Sequence, residues 1–193
     1  MTWLVAGLGN PGERYGRTRH NLGRRVVEEL ASRADARFRK ARFLPVEVAE
    51  IREGQERVVL ARSQRFYNES GPLYASLAKK HHVGPSNMLA VHDDLDLAFG
   101  AMRVKIGGST AGNHGLDSLV AGFRSPEFHR LRMGIGRPPG RQDPVDFVLE
   151  PFPKRMEVDV AVFVDDAADA VSSLIRDGLQ ITQGRYNRPG PRT

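Results

Sequence analysis

Apolar and polar positions follow two rhythms along this chain, and the two rhythms take turns. Residues 3–8 are a short apolar run ending in Gly9-Asn10-Pro11-Gly12, which predicts a strand feeding a turn. Leu22, Val26, Val27 and Leu30 recur at helical spacing and predict a helix over 21–32. Residues 46–51 alternate with period two, 57–61 form a second β-branched run, and Gly54 between them predicts a hairpin. Leu73, Leu77 and Ala78 share one face of a helix over 70–82. A buried-type strand over 88–92 then runs into the acidic turn Asp93-Asp94-Leu95-Asp96. A strand over 102–106, a Gly-rich loop, a helix over 116–123 and a strand over 130–135 follow. A long amphipathic helix lies within 151–178 and stops at Gly178. The chain has no internal repeat and no interior linker, so 1–184 read as one α/β domain. Residues 185–193 read as a basic, Pro/Gly-bearing flexible tail.

Composition narrows the chemistry. A length of 193 residues suits one domain with a core that needs no staples. The absence of cysteine removes disulfides, thiolate-bound metals and a cysteine nucleophile together. No apolar run spans a bilayer, and Met1-Thr2-Trp3 does not open a basic region followed by an apolar stretch. The chain therefore reads as a soluble, cytoplasmic protein. Its net charge of +6 is unevenly placed: residues 1–42 hold ten bases and four acids, whereas 143–177 hold nine acids and three bases. A basic balance fits a polyanion such as nucleic acid, but it equally fits a basic protein with no such partner.

Spacing offers several sites and decides among few. Gly7-Leu8-Gly9-Asn10-Pro11-Gly12 matches the dinucleotide fingerprint, which requires a helix to begin at once beneath the pyrophosphate. No apolar helical face starts before Leu22, and no acid closes a second strand, so the context argues against it. His81 and His82 are adjacent and point apart on a helix, unlike a metal pair. His129 has no evident partner. His20 sits in a loop rich in Arg, Tyr and Asn, where catalytic groups concentrate. The run from His92 to Asp96 is open to three readings: a divalent cation site, an acid that orients a histidine base, or an Asx-rich turn with solvated carboxylates.

Several multi-residue blocks agree in order and spacing over about residues 3–187. They are Leu8-Gly9-Asn10-Pro11-Gly12 with Tyr15, Thr18-Arg19-His20-Asn21-Leu22-Gly23, Phe66-Tyr67-Asn68-Glu69-Ser70-Gly71, and His92-Asp93-Asp94-Leu95-Asp96-Leu97. Gly107-Gly108, the run from Leu131 to Pro138 and Phe147-Val148-Leu149 complete the set. Together they resemble the bacterial peptidyl-tRNA hydrolase family. That resemblance implies a mixed, twisted β-sheet with helices on both faces. It implies cleavage of the ester between a peptide's C-terminal carboxyl and the terminal ribose of tRNA, by a monomer with no cofactor or metal.

The resemblance also assigns roles. His20 is the base that activates water, and Asp93 accepts a hydrogen bond from its other ring nitrogen, fixing tautomer and orientation. Asn10 and Asn68 are carboxamides beside the base that bind the substrate backbone, and one can donate to the developing oxyanion. Tyr15 and Phe66 contact the tRNA end by stacking or by lining the cleft. Lys105 and Arg132 clamp a tRNA phosphate.

Two departures stand out. The family writes Gly-His-Asn-Gly before its third helix, whereas this chain reads Gly112-Asn113-His114-Gly115. The family's active-site asparagine thus falls on His114, with Asn113 beside it. Asn113 then replaces the missing group only if the loop moves, while His114 keeps at most one of two hydrogen bonds. Tyr67 stands where the family has methionine and is expected to add bulk and a polar tip to the cleft. A non-catalytic RNA-binding relative of the same fold is the alternative, and retention of Asn10, His20, Asn68 and Asp93 speaks against it.

Overall fold

The structure, a computed structural model, describes residues 1–187. The apolar runs become the strands β1 (Thr2–Gly7), β3 (Val46–Glu53), β4 (Glu56–Ser63), β5 (Met88–Asp94), β6 (Met102–Ile106) and β7 (His129–Gly134), joined by the two-residue β2 (Arg39–Lys40). The helices are α1 (Leu22–Arg33), α2 (Gly71–Lys80), α3 (His114–Phe123), α4 (Pro144–Leu149), α5 (Glu157–Asp177) and α6 (Leu179–Tyr186). All seven strands form one sheet in the order β2-β3-β4-β1-β5-β7-β6. Its centre is parallel, with β1 between β4 and β5, and β7 beyond β5. Antiparallel partners close the flanks, β3 against β4 and β6 against β7. The mixed sheet with helices on both faces is thus as expected.

Burial explains the order. Leu4, Val5 and Ala6 of β1 and Leu89, Ala90 and Val91 of β5 are all buried, so these strands need cover on both faces. On one face α1 and α5 supply Val26, Val27, Phe163 and Val171. On the other, α2 and α3 supply Tyr74, Leu77 and Leu119, with Phe128. The helix α1 lies so close to the sheet that a Cβ on Gly23 would stand 2.0 Å from the Val91 carbonyl oxygen.

Several boundaries move. The third helix starts at His114 rather than 116, because the Asn113 side chain accepts the Leu116 amide as an N-cap. Two short elements carried no periodic signal: β2 is exposed, and α4 has only six residues, entered by an Asp143 cap and Pro144. The long helix ends at Gly178 as expected, with φ 82°, but α6 follows it directly. Arg185 and Tyr186 therefore belong to that helix, and the Asn187 side chain binds both Val104 backbone groups of β6. The expected tail is ordered up to this point, and 188–193 lie outside the described residues.

The uneven charge is partly settled inside the fold. Arg33 of α1 pairs with Asp165 and Asp169 of α5, Arg17 pairs with Glu157, and Arg19 lies 3.6 Å from Glu150. Bases of the first segment thus meet acids of the last. Among the described residues, no helix is long and apolar enough to cross a membrane.

Gly23→Ala is expected to lower stability by about 2 kcal/mol or more, as overpacking does where backbone faces backbone. Urea unfolding measures this, and an unchanged midpoint would contradict the close approach of α1 to β5.

Candidate active site

The parallel centre of the sheet brings its strand ends to one edge. The connection leaving β1 carries Asn10, the turn after β4 carries Phe66, Tyr67 and Asn68, and β5 ends in Asp93 and Asp94. The chain turns from β1 toward β4 on one side and β5 on the other, the kind of switch point where open α/β sheets form clefts. A cleft of about 550 Å³ lies there, lined by Asn10, His20, Asn68, Asp93, Asn113 and α4, among others.

His20 enters this cleft from a single-turn 3-10 helix (Arg19–Asn21) that leads straight into α1. Its neighbours on both sides are tied down. The Arg19 guanidinium donates to the carbonyls of Phe147, Glu150 and Pro151, which fastens the turn to α4. Asn21 exchanges two hydrogen bonds with the Asn10 backbone, at 2.8 and 2.9 Å, and so joins the β1 loop to the start of α1. Between these anchors, His20 Nδ1 lies 3.0 Å from both carboxylate oxygens of Asp93.

Asp93 is only 3% exposed. Burial opposes its ionisation, but the charge and hydrogen bond of His20, followed by His92, hold its carboxyl below the usual carboxylate value. An ionised Asp93 can only accept, so Nδ1 of His20 carries a proton, and in the neutral form of the ring Nε2 is the nitrogen with the lone pair. His92 itself is buried with Nδ1 2.7 Å from the Asp93 carbonyl, and burial lowers its pKa.

Asn10 is oriented just as firmly. Its Oδ1 accepts the Tyr67 backbone N–H at 2.8 Å, so the amide oxygen is committed and Nδ2 is the end left to the cleft. Tyr15 and Phe66 stand edge to face at 6.5 Å on the rim, and Phe66 is half exposed. Val145, Val148 and Leu149 of α4 give the opposite side an apolar lining.

The model of the peptidyl-tRNA hydrolase family matches residues 4–192. The chain belongs to that family. Peptidyl-tRNA hydrolases of Mycobacterium tuberculosis (strain H37Rv) and Mycobacterium marinum are each 47% identical to it over 184 residues, covering 95% of this chain and 96% of theirs. A crystal structure of peptidyl-tRNA hydrolase from Acinetobacter baumannii matches with a TM-score of 0.90 at 30% identity, over 99% of this chain and 97% of that one.

Not every expected residue of the family's pattern gathers at the cleft. Asn10, Tyr15, His20, Phe66, Asn68, Asp93, Asn113 and His114 all line it. Lys105 and Arg132 lie instead on the β6–β7 ribbon, where Lys105 faces Arg130 and Arg103 faces Arg132. Arg132 is already paired with Asp94 at 2.7 Å. Burial, then Arg132 and Arg130, lower the Lys105 pKa.

The acidic turn resolves into separate tasks: Asp93 serves His20, Asp94 holds Arg132, and Asp96 holds Arg137. Asp94 Oδ1 also accepts the Asp96 amide as an Asx turn, so the cation reading of this turn is not supported. The fingerprint loop likewise leads to a 3-10 turn (Glu13–Tyr15) and not to a helix N-terminus, which removes the dinucleotide reading. Of the two neighbours at 113 and 114, Asn113 points inward: its Nδ2 donates to the Tyr67 hydroxyl at 3.1 Å. No shift of the loop is needed for this. The His114 side chain is 80% exposed beside Asp117.

Residue spacing missed three contributors: the Asn21 bridge, the α4 wall, and the Tyr67 hydroxyl, which turns to Asp93 rather than toward open cleft.

Because the folded-state pKa of Asp93 is depressed, its ionised form stabilises the fold above the unfolded value of about 3.9. That contribution disappears as pH falls through the folded value. The stability gap between wild type and Asp93→Asn should therefore be constant near neutrality and shrink in acid, as read from urea melts across pH. A gap independent of pH would show that Asp93 is not ionised in the fold.

Proposed function

We propose that this chain hydrolyses the ester joining a peptide to the terminal ribose of tRNA, with His20 as general base. The observation that carries the reading is the His20–Asp93 pair at 3.0 Å in a cleft where the Asn10 and Asn113 amides are also held by hydrogen bonds. His20 Nε2 takes a proton from a water molecule, and the resulting hydroxide attacks the ester carbonyl. Asp93 holds the ring in the tautomer this requires and stabilises the imidazolium that forms. Asn10 Nδ2, its amide locked by the Tyr67 N–H, donates to the oxyanion of the tetrahedral intermediate. Collapse breaks the carbon–oxygen bond to the ribose, and the imidazolium returns its proton to the departing ribose oxygen. Water has then been divided between a peptide carboxylic acid and a free tRNA hydroxyl, with no other reactant consumed.

The substrate's two ends fit two kinds of surface. Tyr15 and Phe66 present aromatic faces to the unpaired tRNA end, Asn68 offers its carboxamide to the peptide backbone, and the α4 side chains accept apolar peptide groups. His114, exposed at the mouth, is available to the substrate's polar groups. The Lys105–Arg132 corner is a second, more distant contact for a phosphate, whose charge relieves the crowding of cations there. A monomer suffices, since every group invoked comes from one chain.

The test is release of N-acetylaminoacyl groups from tRNA. His20→Ala should reduce turnover by at least about a hundredfold while leaving tRNA binding intact. Asn10→Ala should lower kcat by about 10²–10³. Equal rates from wild type and His20→Ala would instead favour a protein that binds RNA without hydrolysing it. Separately, Lys105→Ala should reduce the dependence of log binding constant on log salt by about one charge. Arg33→Ala, which removes a base already matched by acids, should leave that slope unchanged.

A further inference from the structure

We infer that Tyr67 is a positioning residue of the active site, held by Asn113, whose hydroxyl and ring together fix the His20–Asp93 pair. This rests on the reading of His20 as the base.

Three contacts converge on one side chain that is 3% exposed. The Tyr67 ring stacks on the His20 imidazole, with centroids 3.5 Å apart and planes 19° from parallel. Its hydroxyl lies 3.2 Å from Asp93 Oδ1, one of the two oxygens that His20 Nδ1 approaches. The Asn113 amide lies 3.1 Å from the same hydroxyl.

The directions of these bonds are forced. Asn113 Oδ1 accepts the Leu116 N–H at 3.0 Å, so its Nδ2 must be the end that faces Tyr67. An amide nitrogen only donates, so the phenol oxygen accepts from Asn113 and its single hydrogen goes to Asp93. Burial, and then Asp93, raise the Tyr67 pKa well above its ordinary value, which keeps that hydrogen in place. The result is a one-way chain from the α3 N-terminus through Asn113 and Tyr67 to Asp93, met there by His20.

Each link removes one freedom. The hydroxyl stops the carboxylate from rotating about its Cβ–Cγ bond, and the stacked ring keeps the imidazole from swinging away from that carboxylate. The ring itself has no slack. A Cβ on Gly115 would stand 2.2 Å from its Cε1, so α3 closes over it. The backbone N–H of Tyr67 orients Asn10. A single residue thus sets both the base and the proposed oxyanion donor.

A double-mutant cycle separates this role from a merely structural or substrate-binding one. Tyr67→Phe keeps the ring and removes the hydroxyl. Asn113→Ser keeps a helix cap but is too short to reach residue 67. Steady-state hydrolysis of N-acetylaminoacyl-tRNA by the full chain is expected to show kcat reduced about tenfold in each variant, with KM unchanged. The double variant should be no slower than Tyr67→Phe alone. Two outcomes would overturn the inference: a Tyr67→Phe protein with wild-type kcat, or an Asn113→Ser effect that adds fully and appears in KM. The second would make Asn113 a direct substrate contact. His20→Ala serves as the reference: if it is inactive while Tyr67→Phe is unaffected, only the present inference fails. If it retains full activity, the reading of the site itself fails.

Discussion

A carboxylate that is almost fully buried must find donors within the fold, and Asp93 draws its two side-chain donors from distant parts of the chain. His20 is 73 residues away and Tyr67 is 26 away. Satisfying both requires the 3-10 turn before α1, the turn after β4 and the tip of β5 to arrive at one point. The parallel arrangement of β4, β1 and β5 makes this possible, because parallel strands present their C-terminal ends on one edge. The other anchors follow from the same need: Arg19 fastens His20 to α4, and Asn21 fastens α1 to the β1 loop.

Charge has two uses in this molecule. The excess of bases near the N-terminus turns inward in part, where Arg17, Arg19 and Arg33 meet acids of the C-terminal segment. The Arg17–Glu157 pair is exposed and adds little stability by itself, whereas Arg19 is buried and Arg33 is partly so. These pairs do reduce the surface charge that a polyanion would encounter. The β6–β7 ribbon differs, because Lys105, Arg130 and Arg132 crowd together there with Asp94 as the carboxylate paired at short distance. Net charge alone did not separate these two situations, since it counts ions without regard to their neighbours.

The two places where the sequence reading expects a departure from the family's pattern prove to be in contact. Tyr67 and Asn113 share a hydrogen bond, and His114 turns to solvent beside Asp117. Read one at a time along the chain, the changes at 67 and at 113–114 suggest a bulkier cleft and a displaced amide. In three dimensions the amide caps α3, supports the phenol, and through it reaches the carboxylate. Adjacent residues at a helix start point in different directions, and the cap position belongs to whichever side chain can accept the Leu116 amide. That requirement turns Asn113 inward and His114 outward.

The residue order by itself determined the long elements and the chemical inventory. Apolar periodicity over a strand or several helical turns marks which face is buried, so β1, the β3–β4 hairpin, β5, β7, α1, α2 and α5 were legible. The lack of cysteine and the presence of imidazole, carboxylate and carboxamides in loops limited the chemistry, and motif resemblance assigned them to a family that the comparisons bear out. The tertiary structure alone decided what those groups do to one another. Neither the six-residue α4 nor the exposed β2 is long or buried enough to leave a periodic trace. The partners of Asp93, the direction of the Asn113 amide and the ion pairs between α1 and α5 are likewise matters of distance across the fold. Periodicity records which side of an element meets the core, and it carries no information about which remote side chain waits there.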